Sequence, residues 1–534
     1  MKRIAFLILF VCLATSLFGA ISAATVWEIR SATGADTNGG GYAGGGTDMS
    51  VYDNKNASGC SNCQSAASNL STTALATNAS STSSPFPVDC ASCSFTSAIS
   101  GNLVYLTGGS PAVTTGWYQA TYVSATQINL DRSPGTTTTT GATINIGGAL
   151  QTFAITSATI VAGNTIYADG TFTATITEGV AGTSGSPIQV IGYHTTRGSG
   201  TATLDGTTSL TYLITSSGGS DYWSFYNWVF KGGTTAQINT GSGQSRFGTF
   251  KNIVFDGTTG GTKTPTIVAG TTGIGGGRIF DFEVKNFAMT AAGLFKNGTA
   301  GTIFDYGNIH DNSGNQYLWS WGTAANQTFR RLLIHDNSAG SASNGVFNIT
   351  STSATDAVWE HVTLYNNNGT GINVTSGMFK QLITDSVIVS QVGAPITCGG
   401  AGNALPQGTV LRNNRFYGNG SSNSVANCYD GGNNSVFGGA PFVNAGGGDF
   451  TLGTSYRATS GTRGFLGSSL TSGSLDAGAI QHSDPAGGGG VRSYTYIGEA
   501  GRLTPDQTSG TDWQIPGLAS SVLLGLVWFA ARRG

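Results

Sequence analysis

The sequence predicts an all-β chain whose short strands wind into stacked coils, and three observations carry that expectation. An apolar anchor followed closely by Gly or Asn returns every 24 to 30 residues between positions 229 and 416, the signature of one supersecondary unit repeated. Each repeat holds β-rich runs broken by Gly and Asn and lacks a 3.6-residue apolar period long enough for a helix. Glycine supplies 82 of the 534 residues and charged residues only 9%, against roughly 25% charged in ordinary soluble domains, a balance that suits strands joined by many turns.

The anchors are Val229, Val254, Val284, Ile309, Ile334, Leu364, Ile388 and Phe416, in segments that read FYNWVFKGG, FKNIVFDGT, IHDNS (twice), VTLYNNNG and NNRFYGNG. Repeats of this length without helices exclude ankyrin, tetratricopeptide and helix-backed leucine-rich architectures. Three positions past the anchors stand Gly232, Gly257, Asn312, Asn337, Asn367 and Asn419, interrupted by Phe287 and Gln391. Gly and Asn tolerate a left-handed backbone. The expectation is therefore a column of sharp corners whose asparagines hydrogen-bond along the stack.

With these repeats, the chain resembles the right-handed parallel β-helix proteins with pectate-lyase-like repeats, over residues 161–482. The entry segments AGNTIYADGTFTATIT (162–177) and PIQVIGYHTTRGSG (187–200) are similar to first coils of secreted or surface members. The exit from APFVNAGGGDFTLG to SLDAGAIQ (440–481) is similar to their terminal coil. The resemblance implies a single-stranded right-handed solenoid. It implies no single activity, because such proteins include polysaccharide lyases, hydrolases, epimerases and adhesins.

Organisation follows from composition. Residues 1–24 read as a secretory signal: Lys2 and Arg3, an apolar run over 4–13, then Ile21-Ser22-Ala23-Ala24. Residues 25–150 form a small β-rich N-terminal region or cap, 151–440 the β-helix, 441–484 its terminal coil, and 485–514 a Gly-rich, polar linker. Residues 515–534 form a hydrophobic anchor closed by Arg532 and Arg533. Its apolar run over 515–531 would reach about 25 Å as a transmembrane-like helix, slightly short of a bilayer core. Ile515-Pro516-Gly517 precedes it and matches neither a PEP nor an LPxTG sorting motif. The expected location is the cell surface or exterior, with a membrane as partner through the tail. A net charge of −2 and the lack of a Lys/Arg-rich run argue against nucleic acid.

Export leaves six cysteines once Cys12 departs with the signal. Cys60, Cys63, Cys90 and Cys93 form two C-x-x-C pairs that suit either disulfides, favoured in an oxidising compartment, or a four-thiolate zinc site. Cys398 and Cys428 sit 10 and 12 residues past the anchors Ile388 and Phe416. On neighbouring coils they would lie within disulfide reach.

One position past each anchor runs a stripe expected to face outward: Phe230, Phe255, Lys285, His310, His335, Tyr365, Val389 and Tyr417. Its aromatic members, with Phe255, His310, His335, Tyr365 and Tyr417 as ligand-binding candidates, suit the C–H faces of a polysaccharide or surface glycan. The alternative is a ladder packed under a loop. Asp311 and Asp336, on consecutive coils, are candidates for an acid–base pair or, with carbonyls, a calcium site; otherwise no cofactor is expected. Corner residues bonded to backbone amides explain these aspartates equally. A lyase would also need a cation such as Arg330 or Arg331 on that face. Walker, HExxH and G-x-S-x-G signatures are missing and only five His occur. The leading expectation is a surface-anchored glycan-binding protein without catalysis. A polysaccharide lyase or glycoside hydrolase and a structural envelope component are the alternatives.

Overall fold

The computed structural model describes residues 21–42, most of 75–456 apart from intervening loops, 477–480, and the short segments 496–497 and 502–503. Nearly every described element is a strand. The main body is a stack of parallel rungs. Val26–Arg30 pairs with Thr165–Asp169, which pairs with Ile188–Tyr193, and the stack continues through Trp223–Gly232, Thr249–Asp256, Arg278–Lys285, Ile303–His310 and Gln327–His335. Beyond this point each rung divides in two, as in Ala357–Glu360 and Thr363–Tyr365, and the stack ends at Tyr429–Asp430 and Ser435–Val436. Successive rungs add about 4.8 Å each. A shorter parallel sheet closes the coil on another side, running from Trp319–Trp321 through Phe347–Ile349 and Ile372–Val374 to Ile396–Cys398.

Side chains alternate inward and outward along each rung, so stacking turns sequence positions into columns. One inward column holds Phe225, Phe250, Ile279, Phe304, Phe329, Trp359 and Ile383. All are buried, and Phe304 stacks on Phe329 at 5.1 Å, which stacks on Trp359 at 5.5 Å. A second inward column runs Leu204, Phe230, Phe255, Val284, Ile309, Ile334, Leu364, Ile388 and Phe416. The register of the first two anchors is thus corrected by one residue. Phe230 and Phe255, not Val229 and Val254, align with the later anchors. Both Phe side chains are fully buried, because a large aromatic gains more from the core than the neighbouring valine.

The corners are also displaced by one. Left-handed backbone occurs at Gly232, Asn286, Asp311, Asp336, Asn366, Ser390 and Gly418, immediately before the asparagine column. Asn312, Asn337 and Asn367 point inward, almost wholly buried. They form the expected hydrogen-bonded ladder: Asn312 Nδ2 donates to Asn337 Oδ1 at 2.9 Å, and Asn337 Nδ2 to Asn367 Oδ1 at 2.8 Å. Each amide oxygen also accepts the backbone N–H one rung before, as at Asn337 and Asn367. A second left-handed column, Asn227, Asn252, Asp281, Tyr306, Arg331, His361, Asp385 and Asn413, bends the rungs from Trp223–Gly232 onward in their middle. The two bends divide the outer surface into separate faces.

Residues 25–150 contribute the first strand of the stack, Val26–Arg30. The remainder contains a six-stranded antiparallel barrel over 75–146, inserted between that strand and its partner Thr165–Asp169. It meets the first rung where Trp117 packs edge-on against Trp27 at 6.2 Å and donates through Nε1 to the Asn38 carbonyl. The glycines near residue 40 serve packing, since a Cβ on Gly39 would lie 2.4 Å from the Leu103 carbonyl oxygen. Cys90 is buried and disulfide-bonded, so it offers no thiolate to zinc; Cys60, Cys63 and Cys93 lie outside the described residues. Cys398 and Cys428 form the expected disulfide, with Cα atoms 5.2 Å apart.

At the far end the chain turns back as an antiparallel hairpin, Phe442–Asn444 paired with Asp449–Leu452. Among the described residues no helix is long and apolar enough to cross a membrane. The signal run over 4–13 and the apolar run over 515–531 lie outside them.

Candidate functional site

Two outer faces carry the polar and aromatic residues of interest. The first holds the stripe Asp205, Lys231, Asp256, Lys285, His310, His335, Tyr365, Val389 and Tyr417, placed on successive rungs by the register. Phe255 is not among them, because it faces the core. The His310 and His335 rings stack at 5.1 Å, 9° from parallel. His310 bridges two carboxylates, with Nε2 2.9 Å from Glu283 Oε1 and Nδ1 2.8 Å from Asp311 Oδ2. Burial would lower its pKa, but hydrogen bonds to Glu283 and Asp311, together with their charges, outweigh it and raise the pKa. His335 places Nδ1 2.8 Å from Asp336 Oδ2 and Nε2 3.1 Å from Asn308 Oδ1. Burial would raise the Asp336 pKa; bonds from His335 and Asn366 and the two histidine charges prevail and lower it.

Each aspartate is therefore committed to its own histidine. Among the described residues no group of three or more His, Cys, Asp or Glu is arranged to hold a metal. A calcium ion takes six to eight oxygens; here one oxygen of each aspartate is turned to a histidine ring. The C-terminal hairpin lies across the stripe from His335 onward. Phe450 sits 4.6 Å from the His335 ring and 5.3 Å from that of Tyr365, and Phe442 lies 5.7 Å from Tyr365. Val387, Val389, Phe437, Leu452 and Ala477 form a small apolar cluster there, with Tyr365 and Tyr417 at its edge. The packed-ladder alternative describes this part of the stripe.

The second face lies across the middle bend. Its columns are Thr249, Arg278, Ile303 and Thr328, and beside them Tyr226, Lys251, Phe280, Asp305, Arg330 and Glu360. Arg330 and Arg331, wanted beside Asp336 for a lyase, belong here. Arg330 Nη2 donates to Asp305 Oδ2 at 3.0 Å and Arg331 Nε to Asp305 Oδ1 at 2.7 Å. Arg331 also lies 3.5 Å over the Tyr306 ring and bonds its hydroxyl. Asp305 is 7% exposed, a buried carboxylate that fixes two guanidinium planes. Arg330 Nε is buried with no hydrogen-bond partner. Lys251 and Arg278 are exposed, and Lys251 approaches the Phe280 ring at 5.4 Å.

The sequence carries one signal of this arrangement, the repeat itself, since Asp305-Tyr306 precedes Arg330-Arg331 by 25 residues, one coil. Recognising that spacing requires knowing that both pairs straddle a bend.

No protein-family model and no curated protein sequence matches the chain. Solved structures similar to it include a rhamnogalacturonan lyase, at 11% identity over 55% of this chain and 86% of that one with a TM-score of 0.38. An alginate lyase from Paenibacillus sp. str. FPU-7 is 11% identical over 52% and 95% of the two chains, TM-score 0.34. The catalytic domain of a GH87 alpha-1,3-glucanase in complex with nigerose is 10% identical over 69% and 89%, TM-score 0.26.

Proposed function

We propose that this is an exported, surface-anchored protein that binds extended polysaccharide on the face bearing Arg330 and Arg331, without catalysing its cleavage. The carrying observation is the Asp305–Arg330–Arg331–Tyr306 lattice, flanked by Lys251, Arg278 and the Phe280 ring. Guanidinium groups held in plane by a buried carboxylate lose little freedom on meeting a second oxyanion or a pair of hydroxyls. Aromatic rings beside them offer faces for sugar C–H groups. The register sets Tyr226, Lys251, Phe280, Asp305 and Arg330 in one line along the stack, the direction in which a linear polymer would lie.

The test is retention of the full chain on immobilised polygalacturonate and dextran, an acidic and a neutral polysaccharide, with Arg330→Ala and Phe280→Ala alongside. Retention of the wild type that falls at least tenfold in either variant supports the reading. Absence of retention across both polymers, or release of unsaturated or reducing sugar ends from them, overturns it.

A further inference from the structure

The outward column that begins with Thr249 and Arg278 changes character toward the end of the stack. The register carries it through Ile303 and Thr328 to Val358, Leu382, Val410 and Tyr429, so its last four members are apolar or aromatic on consecutive rungs. They face outward, because the neighbouring Trp359, Ile383 and Leu411 fill the core, and none of the four belongs to a described core cluster. Val358, Leu382 and Val410 are half-buried, and Tyr429 is 70% exposed. Single apolar side chains on a surface are ordinary; four in line over about 14 Å form a patch of the kind that meets a partner.

Two positions further along the same rungs stand Glu360, Thr384 and Arg412, again in register. Among the described residues neither the Glu360 carboxylate nor the Arg412 guanidinium has a hydrogen bond or an ion pair. Arg330, one rung before Glu360, is held by Asp305 instead. Glu360 and Arg412 are two rung spacings apart, about 10 Å, too far to pair with each other.

Both columns share one symmetry. Val358 and Val410 stand one rung either side of Leu382, and Glu360 and Arg412 one rung either side of Thr384. We propose that a second copy of this chain docks on this face, related by a two-fold axis that runs along the strand Gln381–Thr384. Leu382 then meets its own counterpart, Val358 meets the partner's Val410, and Glu360 meets the partner's Arg412, each pair occurring twice. The unpaired carboxylate and the unpaired guanidinium thereby satisfy each other, and a side-chain ladder intermeshes best with a ladder of its own period when sheets pack face to face. Such an isologous contact closes at two subunits. The patch is short, so the dimer is reversible, in the class of small transient interfaces. Two rungs out from Leu382, Gln327–His335 meets the end of the partner's stack, and the face from Tyr226 to Asp305 stays clear of it. The inference therefore does not rest on the saccharide reading.

Sedimentation velocity of the full chain, loaded from about 1 to about 200 μM, should show a monomer–dimer equilibrium. Glu360→Arg or Arg412→Glu alone sets like charges opposite each other at both pairs and should weaken the dimer at least about tenfold. The double variant exchanges the charges of both pairs and should restore it. Association through the apolar run over 515–531 would not respond to these changes. A wild type that stays monomeric, single variants that dimerise as the wild type does, or a double variant no better than the singles overturns the proposal. Cross-linking locates the axis without charge changes. Leu382→Cys chains should be joined above the wild-type background by a bis-maleimide about 8 Å long, a reach that suits facing sheets. Val358→Cys chains should be joined only when mixed with Val410→Cys chains. Val358→Cys chains that link equally well alone overturn the two-fold axis at Leu382.

Discussion

His310 shows how the fold changes the chemistry of a single residue. Both ring nitrogens face carboxylates, Glu283 and Asp311, and Lys285 Nζ shares the Glu283 oxygen at 3.1 Å. The His310 pKa is raised in the folded chain. The protonated ring therefore stabilises the fold fully below the unfolded value of about 6.5, and that contribution disappears as pH rises through the folded value. His310→Gln should lower the unfolding midpoint below about pH 6.5, by an amount equivalent to about 2 kcal/mol, and should matter less at pH 8.5. Thermal unfolding at several pH values checks this, and a deficit that grows with pH would contradict the assignment. Asn337 acts through geometry instead of charge. Its oxygen accepts from the backbone N–H and the amide of Asn312, and its nitrogen donates to the carbonyls of Ile309 and His335 and to Asn367. Asn337→Ala strands several buried partners and should cost about 3 kcal/mol in denaturant titration, from two or three unsatisfied groups. An exposed turn asparagine would cost a fraction of that.

At the scale of the element, the recurring anchor and the asparagine ladder were both legible, because a period of one coil brings like residues into contact. The first two anchors lie one position from where the pattern puts them, since FYNWVF and FKNIVF each offer adjacent apolar residues and only pairing decides which faces inward. Phe255 therefore faces the core and not the solvent, as a one-residue change of register moves every side chain to the opposite face. The middle bend was not legible, because its left-handed column mixes Asn, Asp, Tyr, Arg and His. The opening strand was hidden for another reason: the inserted barrel separates it from its partner. The Cys398–Cys428 pairing was legible from coil spacing, and its effect on stability follows from the 30 residues it spans. Loop-closure entropy for that length gives about 3.5 kcal/mol. Cys428→Ser should lower stability by roughly that amount, and a loss concentrated in faster exchange of 396–398 and 429–436 would place the effect in the last rungs.

For the whole molecule, the consequence of stacking is that function is a matter of faces. The two bends keep the histidine stripe and the arginine lattice apart, so Asp336 and Arg330 lie on different faces although they are only six positions apart in sequence. The sequence showed the residues but not their separation. On the arginine face, Lys251, Arg278, Asp305 and Arg330 occupy four consecutive rungs, a span of about 14 Å at the usual strand spacing. A saccharide lying along the stack should gain affinity with each added sugar until it covers that span, because each new contact forms at high effective concentration once the first is made. Longer chains should gain little more. Titration calorimetry with a size series of oligogalacturonates checks this. The affinity should rise and then level off, weaken on going from low to physiological salt as exposed cations are screened, and lose its length dependence in Arg330→Ala. An affinity independent of length and of salt would mean that the cations do not act together and that the face is a structural surface.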